Sequence, residues 1–398
     1  MSQPSPCHSD PLFGERAQAA LRELKGERDP LRAATKLQAE LEPELARRCA
    51  ELHQLRLRSI SRFPKEFPLF MTAPGLSRAS SEAAANARAA HILKCLPRAR
   101  VSDATCGIGA DAMALSRAGA RVVASDIDSF LVACAQANLH AWGHEAHVVV
   151  ADCRRHPASA DVLVLDPDRR PNGERTLDPA RWSPPLSAAL ELAGRHEGAC
   201  IKLAPAMETS RAELSQDLSH HWEWVSVDRS LVELCLWTGS LATQEGHHAT
   251  LVRDGAVLAR YSGSPVPIDP LPEVAIDSPR FLHDPDPCLV RSRLLGTLAA
   301  ELDLRGLHPM IALLAGEAPA QSPFLDTFRV LGSAPLDKRR VRELLRAHDV
   351  GAIEVRKRGH PDPAEVLAKR FKGPGTRRGT LFVVRLESGH RAYLAEAH

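Results

Sequence analysis

The sequence predicts an α/β fold: a central sheet with helices on both faces, a helical segment before it and an α+β module after it. Three observations carry this. Short apolar runs near 100–104, 121–125, 147–151, 161–165 and 199–203 read as strands, with helical sequence in the first two gaps and the last. The first run enters a loop with glycine at alternate positions, Cys106-Gly107-Ile108-Gly109, and a helix follows over about 111–118. Acidic residues close the first four runs: Asp103, Asp126, Asp152 and Asp166. They fall at the carboxyl edge, where open α/β sheets bind ligands.

The flanking elements follow in order. Residues 13–61 read as helical, because Leu37, Leu41, Leu45, Leu52 and Leu55 recur at three- and four-residue steps or their multiples. Phe63-Pro64 and Phe67-Pro68 interrupt this stretch, and 72–96 is an Ala-rich helical segment capped by a serine near Ser80. After the fifth strand, 224–228, 231–237, 249–252 and 257–261 read as further strands, added antiparallel at the sheet edge. Residues 262–287, rich in Pro, Asp and Ser, read as a linker. Beyond it, helices are expected at 288–302, 338–348 and 363–371. Strands are expected at 352–357, 380–386 and 391–394, the last two joined by a turn at Ser388-Gly389. The expected division is 1–72, 73–270 and 280–398.

Composition narrows the function. The chain has 398 residues, 44% of them hydrophobic, and no apolar run long enough to cross a bilayer. Its start is polar and Pro-rich, without a signal pattern. Nine cysteines without a Cys-x-x-Cys pair argue against a disulfide framework and a structural zinc site, so no metal is expected and a cytoplasmic location is. Net charge is only +2, yet 335–391 holds fifteen Lys or Arg against seven Asp or Glu. That local excess suits a polyanion; the plainer reading is a solvated basic surface.

Gly107-x-Gly109-x-x-Ala112 also fits a loose dinucleotide fingerprint, which alone is weak. Asp103, four residues before Gly107, can face an amino-acid ammonium, which nicotinamide dinucleotides lack. Asp152-Cys153 suits an adenine edge and face. The pattern resembles class I S-adenosylmethionine-dependent methyltransferases, with a Rossmann-like sheet. By that resemblance Asp103, Cys106, Gly107, Ile108 and Gly109 hold the methionine part of S-adenosyl-L-methionine. Asp126 holds the ribose, Ile127 packs on the adenine, Asp152 accepts from its amino group, and Cys153 lies beside the ring. Asp103-x-Thr105-Cys106-Gly107-x-Gly109-x-Asp111 is similar to the trimethylguanosine-synthase-like branch. The downstream chain resembles a THUMP-like domain through His283-Asp284-Pro285-Asp286-Pro287, Glu354-Val355-Arg356-Lys357-Arg358-Gly359 and Asp362-Pro363.

Amine methyltransferases often end the fourth strand with Asp/Asn-Pro-Pro-aromatic. Here Asp166-Pro167 keeps the first half, while Asp168 replaces the second proline and Arg169 the ring. A flipped base would lose a stacking partner unless Trp182 or another aromatic moves in. Asp166 and the Pro167 carbonyl are the candidate acceptor-orienting groups, with Asp168 or Arg169 touching the acceptor. A surface ion-pair cluster is the plainer alternative. Lys202 could reach the same cleft, or serve a structural or solvent-facing role. The resulting expectation is a methyltransferase acting on structured RNA, gripped by Arg356, Lys357, Arg358, Lys369, Arg370 and Lys372. The alternatives are a donor- and RNA-binding protein without methyl transfer, and a methyltransferase of small molecules or proteins.

Overall fold

The computed structural model describes residues 10–63, 69–144, 146–155, 158–170, 173–174, 176–212, 214–215 and 217–398. The Phe-Pro pairs expected to interrupt the N-terminal helices lie outside these residues, Phe63 apart, as do Pro171 and the first nine residues. The chain divides into two compact units. Met1–Val227, Val232–Glu245 and Val252–Val257 form the first, and Asp228–Leu231, Gly246–Leu251 and Leu258–His398 the second.

The first unit opens with α1 (Glu15–Glu23), α2 (Pro30–Glu40) and α3 (Pro43–Ser59), where the sequence reads as one helical stretch. Each break has a local cause. Asp29 caps α2 by accepting from the Leu31 and Arg32 N–H groups, and prolines open α2 and α3, where an N–H has no helical partner to lose. Leu37, Leu41, Leu52 and Leu55 are buried and Leu45 half-buried, as their spacing requires. Then come α4 (Ala73–Arg78) and α5 (Glu82–Cys95), the latter capped by Ser81, which accepts from the Ala84 N–H.

The alternating region folds as β1 (Arg100–Asp103), α6 (Ala110–Arg117), β2 (Arg121–Asp126), α7 (Ser129–Ala141), β3 (His147–Val150), β4 (Val162–Leu165), α8 (Leu186–Ala193) and β5 (Gly198–Leu203). β1 pairs in parallel with β2 and β4, β2 with β3, and β4 with β5. The order β3-β2-β1-β4-β5 reverses its winding between β1 and β4, which opens a crevice past their carboxyl ends. β4 and β5 are buried along their whole length, so they read as apolar runs and not as alternating ones. β6 (His220–Val227) and β7 (Ser230–Gly239) follow, and β7 pairs antiparallel with β5. β8 (Gly246–Arg253) and β9 (Ala256–Gly263) come next in the sheet order, and the division between the units runs through both.

The second unit comprises β10 (Phe281–Pro285), α9 (Pro287–Arg291), α10 (Leu295–Glu301), β11 (Arg305–His308), β12 (Ile311–Gly316), β13 (Leu325–Pro335), α11 (Lys338–Ala347), β14 (Val350–Arg358), α12 (Ala364–Arg370), β15 (Arg377–Leu386) and β16 (Gly389–Ala397). Its sheet order is β11-β12-β10-β13-β16-β15-β14, with β14 and β15 parallel. One face packs Leu282, Leu313, Phe328, Phe382 and Tyr393. The other packs Val355, Leu381, Val383 and Leu394 against Val341 and Leu345 of α11 and Leu367 of α12.

Three expectations change here. Residues 281–285, read as linker, form β10 between β12 and β13. Its His283 and Asp284 disguised it: both are buried, His283 Nδ1 beside Thr327 Oγ1 at 3.0 Å and Asp284 against three arginines, Arg229, Arg356 and Arg358. The helix expected over 288–302 is broken, because Arg293 adopts a left-handed φ of 62° between α9 and α10. β11, β12 and β13 were not expected. β13 mixes polar and apolar residues because much of it is only half-buried, so its alternation is weak. Among the described residues no helix is long and apolar enough to cross a membrane.

Candidate active site

Four strand ends of the first unit supply the candidate site. Asp103 closes β1 and is buried, and its Oδ2 has no hydrogen-bond partner among the described residues. Burial, and then repulsion from Asp111, push its carboxyl up to about 8 against the pull of Lys202 and Arg88.

The loop after β1 is pinned on both sides. The Ala104 N–H donates to the Val164 carbonyl (3.0 Å) and the Cys106 N–H to the Ser125 carbonyl (2.9 Å). The Gly107 N–H donates to Asp126 Oδ2 at 2.9 Å. Gly107 and Gly109 hold positive φ angles of 53° and 86°. A side chain at Gly109 would meet Ala135 of α7 at 3.1 Å, whereas one at Gly107 would enter open space. Gly109 thus lets the loop close on α7, and Gly107 keeps backbone accessible to a ligand. Ile108 is buried beneath the loop.

Asp126 closes β2. Its Oδ1 accepts from the Asp128 N–H at 3.0 Å, and Asp128 is the residue that caps α7. Burial raises the Asp126 carboxyl above its ordinary range although backbone bonds from Asp128 and Gly107 oppose it. Ile127 beside it is 70% exposed, unusual for a large apolar side chain. Past β3, the Arg154 guanidinium spans both Asp152 oxygens (3.0 and 2.8 Å) and holds that carboxyl down at about 2. Cys106 and Cys153 are buried, and burial pushes both thiols up, so they pack as small side chains instead of acting as thiolates.

The end of β4 is held differently. The Asp166 N–H donates to Thr105 Oγ1 at 2.7 Å, and Asp166 Oδ2 accepts from Lys202 Nζ at 2.5 Å. Pro167 is buried. Asp168 pairs with Arg78 at 3.0 Å, accepts from the Arg170 N–H, and exchanges backbone hydrogen bonds with Ser183 (2.8 and 3.0 Å). Arg169 is half-buried, its carbonyl accepting from the Thr176 N–H. Trp182 does not replace the missing ring: it is buried, with Nε1 donating to the Thr176 carbonyl at 3.1 Å.

Beneath these strand ends lies a polar network that sequence reasoning missed. Lys202 is buried and also reaches Asp111 Oδ2 at 3.2 Å. Arg88 of α5 donates to Asp111 Oδ1 (2.9 Å), Glu233 (2.7 Å) and Ser80 (2.9 Å), and Ser80 donates to Asp111 Oδ2 (3.1 Å). Burial alone would lower Lys202, but Asp111 and Asp166 hold it above the usual lysine range. Asp111 is buried as well, yet Arg88 and Lys202 keep its carboxyl well below the carboxylate range. Of this network the sequence had offered Lys202 as able to reach the cleft; the mark of Arg88 is an arginine amid alanines, Ala87-Arg88-Ala89, on a helix with few other charges.

The six basic residues expected at a nucleic-acid surface fall into two groups. Arg356 bonds Asp284 (2.7 Å), Glu354 (3.0 Å) and Asp326 (3.3 Å) and lies over the Phe328 ring; Arg358 also pairs with Asp284. Lys357 donates to the His360 carbonyl at 3.0 Å. This end of β14 is therefore largely committed to internal contacts. Lys369, Arg370 and Lys372 are exposed at the end of α12, with Arg370 near Asp362 (3.2 Å). α11 adds exposed Lys338, Arg339, Arg340, Arg342 and Arg346.

Comparison with known proteins decides the family. The chain is 32% identical over 301 residues, 74% of its own length and 79% of the relative's, to an uncharacterized S-adenosylmethionine-dependent methyltransferase of Mycobacterium tuberculosis, found in two strains, CDC 1551 and H37Rv. The chain belongs to the S-adenosylmethionine-dependent methyltransferases. The fold agrees: a crystal structure of a candidate methyltransferase from Porphyromonas gingivalis W83 superposes with a TM-score of 0.72 at 19% identity, covering 95% of this chain and 97% of that one. Residues 325–397 of the methyltransferase match the THUMP domain-like family, which spans β13 to β16.

Proposed function

We propose that this methyltransferase transfers its methyl group to RNA, with the donor held at the ends of β1 to β3 and the acceptor oriented at the end of β4. The donor, when bound, supplies an electrophilic methyl group, and transfer is an in-line displacement that rewards exact placement of the nucleophile. The residues present suit that donor. Asp103 offers a buried carboxyl oxygen, Oδ2, without a partner among the described residues, the kind of group an ammonium would satisfy. Gly107 leaves open space beside its backbone, and Asp126 keeps lone pairs for ribose hydroxyls beyond its two backbone bonds. The exposed Ile127 is the apolar surface we assign to the adenine. Asp152 and Cys153 complete the adenine side in this reading, Asp152 through the lone pairs that Arg154 leaves.

The observation that carries the donor reading is the buried Asp103 beside a glycine loop, its Oδ2 without a partner among the described residues. On the acceptor side, Asp166 and the Pro167 carbonyl accept from the group to be methylated, and Asp168 or Arg169 contacts it. The finer likeness to the trimethylguanosine-synthase-like branch is part of the same proposal. RNA is supported by the THUMP-like match and by the exposed cations Lys369, Arg370 and Lys372 of α12 with those of α11. Because Arg356 and Arg358 are tied to Asp284, phosphate contact is assigned first to the helices.

The test is transfer of labelled methyl from S-adenosylmethionine to RNA isolated from cells lacking the gene, beside protein and small-molecule fractions. Nuclease-sensitive label that disappears with Asp166→Ala, while donor binding persists, supports the reading. Label confined to protein or small molecules overturns the RNA acceptor, and full activity of Asp166→Ala removes Asp166 from the mechanism.

A further inference from the structure

We infer that Lys202 is a positioning residue for methyl transfer: it fixes the orientation of the Asp166 carboxylate and ties it to the helix that follows the glycine loop. The inference rests on the acceptor-orienting role assigned to Asp166 above. Lys202 Nζ lies 2.5 Å from Asp166 Oδ2 and 3.2 Å from Asp111 Oδ2. An ammonium has three donors, so one nitrogen serves both acids.

The two acids are unlike. Asp111, in the first turn of α6, is buried and immobilised by Arg88 and Ser80, and Arg88 is in turn held by Glu233 on β7. Asp166 keeps a quarter of its side chain exposed (25%). Its backbone N–H is fixed by Thr105 Oγ1, and of its carboxylate oxygens it is Oδ2 that Lys202 holds. Contacts thus run from Glu233 through Arg88, Asp111 and Lys202 to one oxygen of an acid whose other oxygen, Oδ1, has no partner among the described residues. Arg88 alone leaves Asp111 and Glu233 with one negative charge uncompensated, and Lys202 neutralises it through Asp111; its shorter contact, to Asp166 at 2.5 Å, goes beyond that balance. Burying a further ammonium is costly unless its partners reward it, and here it carries the fixed end of the network to the open acid. The same tie links β4, on the acceptor side, to α6, on the donor side.

The experiment uses full-length Lys202→Met and Lys202→Arg. Lys202→Met is expected to lower kcat at saturating donor by about tenfold or more, with KM for RNA within about twofold, because an oriented group acts mainly on turnover; donor affinity falls as well, since Lys202 also favours the ionised form of Asp103. Lys202→Arg, which keeps charge and donors, should recover most of the rate. In an Asp166→Asn background Lys202→Met should add less than about twofold, since the effect runs through Asp166. Wild-type turnover in Lys202→Met, or an undiminished loss in the Asp166→Asn background, overturns the inference. Carbon-13 spectra of Asp-labelled protein give a readout without any acceptor: the Asp166 carboxyl signal, assigned by its loss in Asp166→Asn, should move in Lys202→Met. Lys202→Gln serves for both readouts if the Met variant does not fold. An unmoved signal sinks the proposal. A moved signal in a protein that methylates no RNA leaves the Lys202 contact standing and refutes the RNA acceptor instead.

Discussion

Donor binding should release a proton at Asp103. In the donor-free protein its carboxyl sits at about 8, raised by burial and by Asp111. At pH 7 it is therefore about nine-tenths protonated. An ammonium placed against it requires the carboxylate. The sign follows: lowering pH protonates the free protein further, so affinity falls as pH falls below about 8. Between pH 7 and pH 6 the loss is about ninefold, and binding at pH 7 releases about 0.9 proton. The donor's own α-amino group titrates near 7.7–8.0 in model compounds, so this window lies below its titration. Calorimetry in buffers of different ionisation enthalpy counts the protons directly. Asp103→Asn should bind weakly and lose both the proton release and the pH slope. Affinity that is flat between pH 6 and 7 in the wild type, or a slope that survives in Asp103→Asn, would refute the contact between Asp103 and the donor ammonium.

Three further outcomes are expected. Arg88→Met leaves Glu233 buried without its cation, and Asp111 with only Lys202 and Ser80, and should cost about 3–5 kcal/mol in urea unfolding; a loss below about 1 kcal/mol would show that the network is dispensable. Gly107→Ala should cost only about 1–2 kcal/mol of left-handed strain yet weaken donor binding, whereas Gly109→Ala adds a clash with Ala135 and should destabilise more; equal stability of the two in thermal melts contradicts the assignment. Reversing Lys369, Arg370 and Lys372 to Glu should weaken RNA binding and reduce the log–log salt slope by roughly 0.7 for each single-strand phosphate left without its cation, with donor affinity unchanged; an unaltered salt slope means that these cations do not meet RNA.

Local pattern determined a good deal of this protein. The unbroken apolar run Val162–Leu165 gave a central strand because both its faces are buried, and the glycine loop with the acids at the strand ends gave the crevice, since loop conformation and strand termination are decided within a few residues. The leucine spacing of the N-terminal helices was legible for the same reason. What the tertiary structure alone decided is which charges are spent on one another. Lys202, Asp111, Arg88 and Glu233 come from β5, α6, α5 and β7 and meet only when the sheet closes. Arg356 and Arg358 looked available in a basic run, but β10 brings Asp284 beneath them. β10 itself escaped notice because His283 and Asp284 read as solvent-facing until their partners across the sheet are known. A buried charge is stable only with a partner, and partners distant in sequence leave no local mark on the chain.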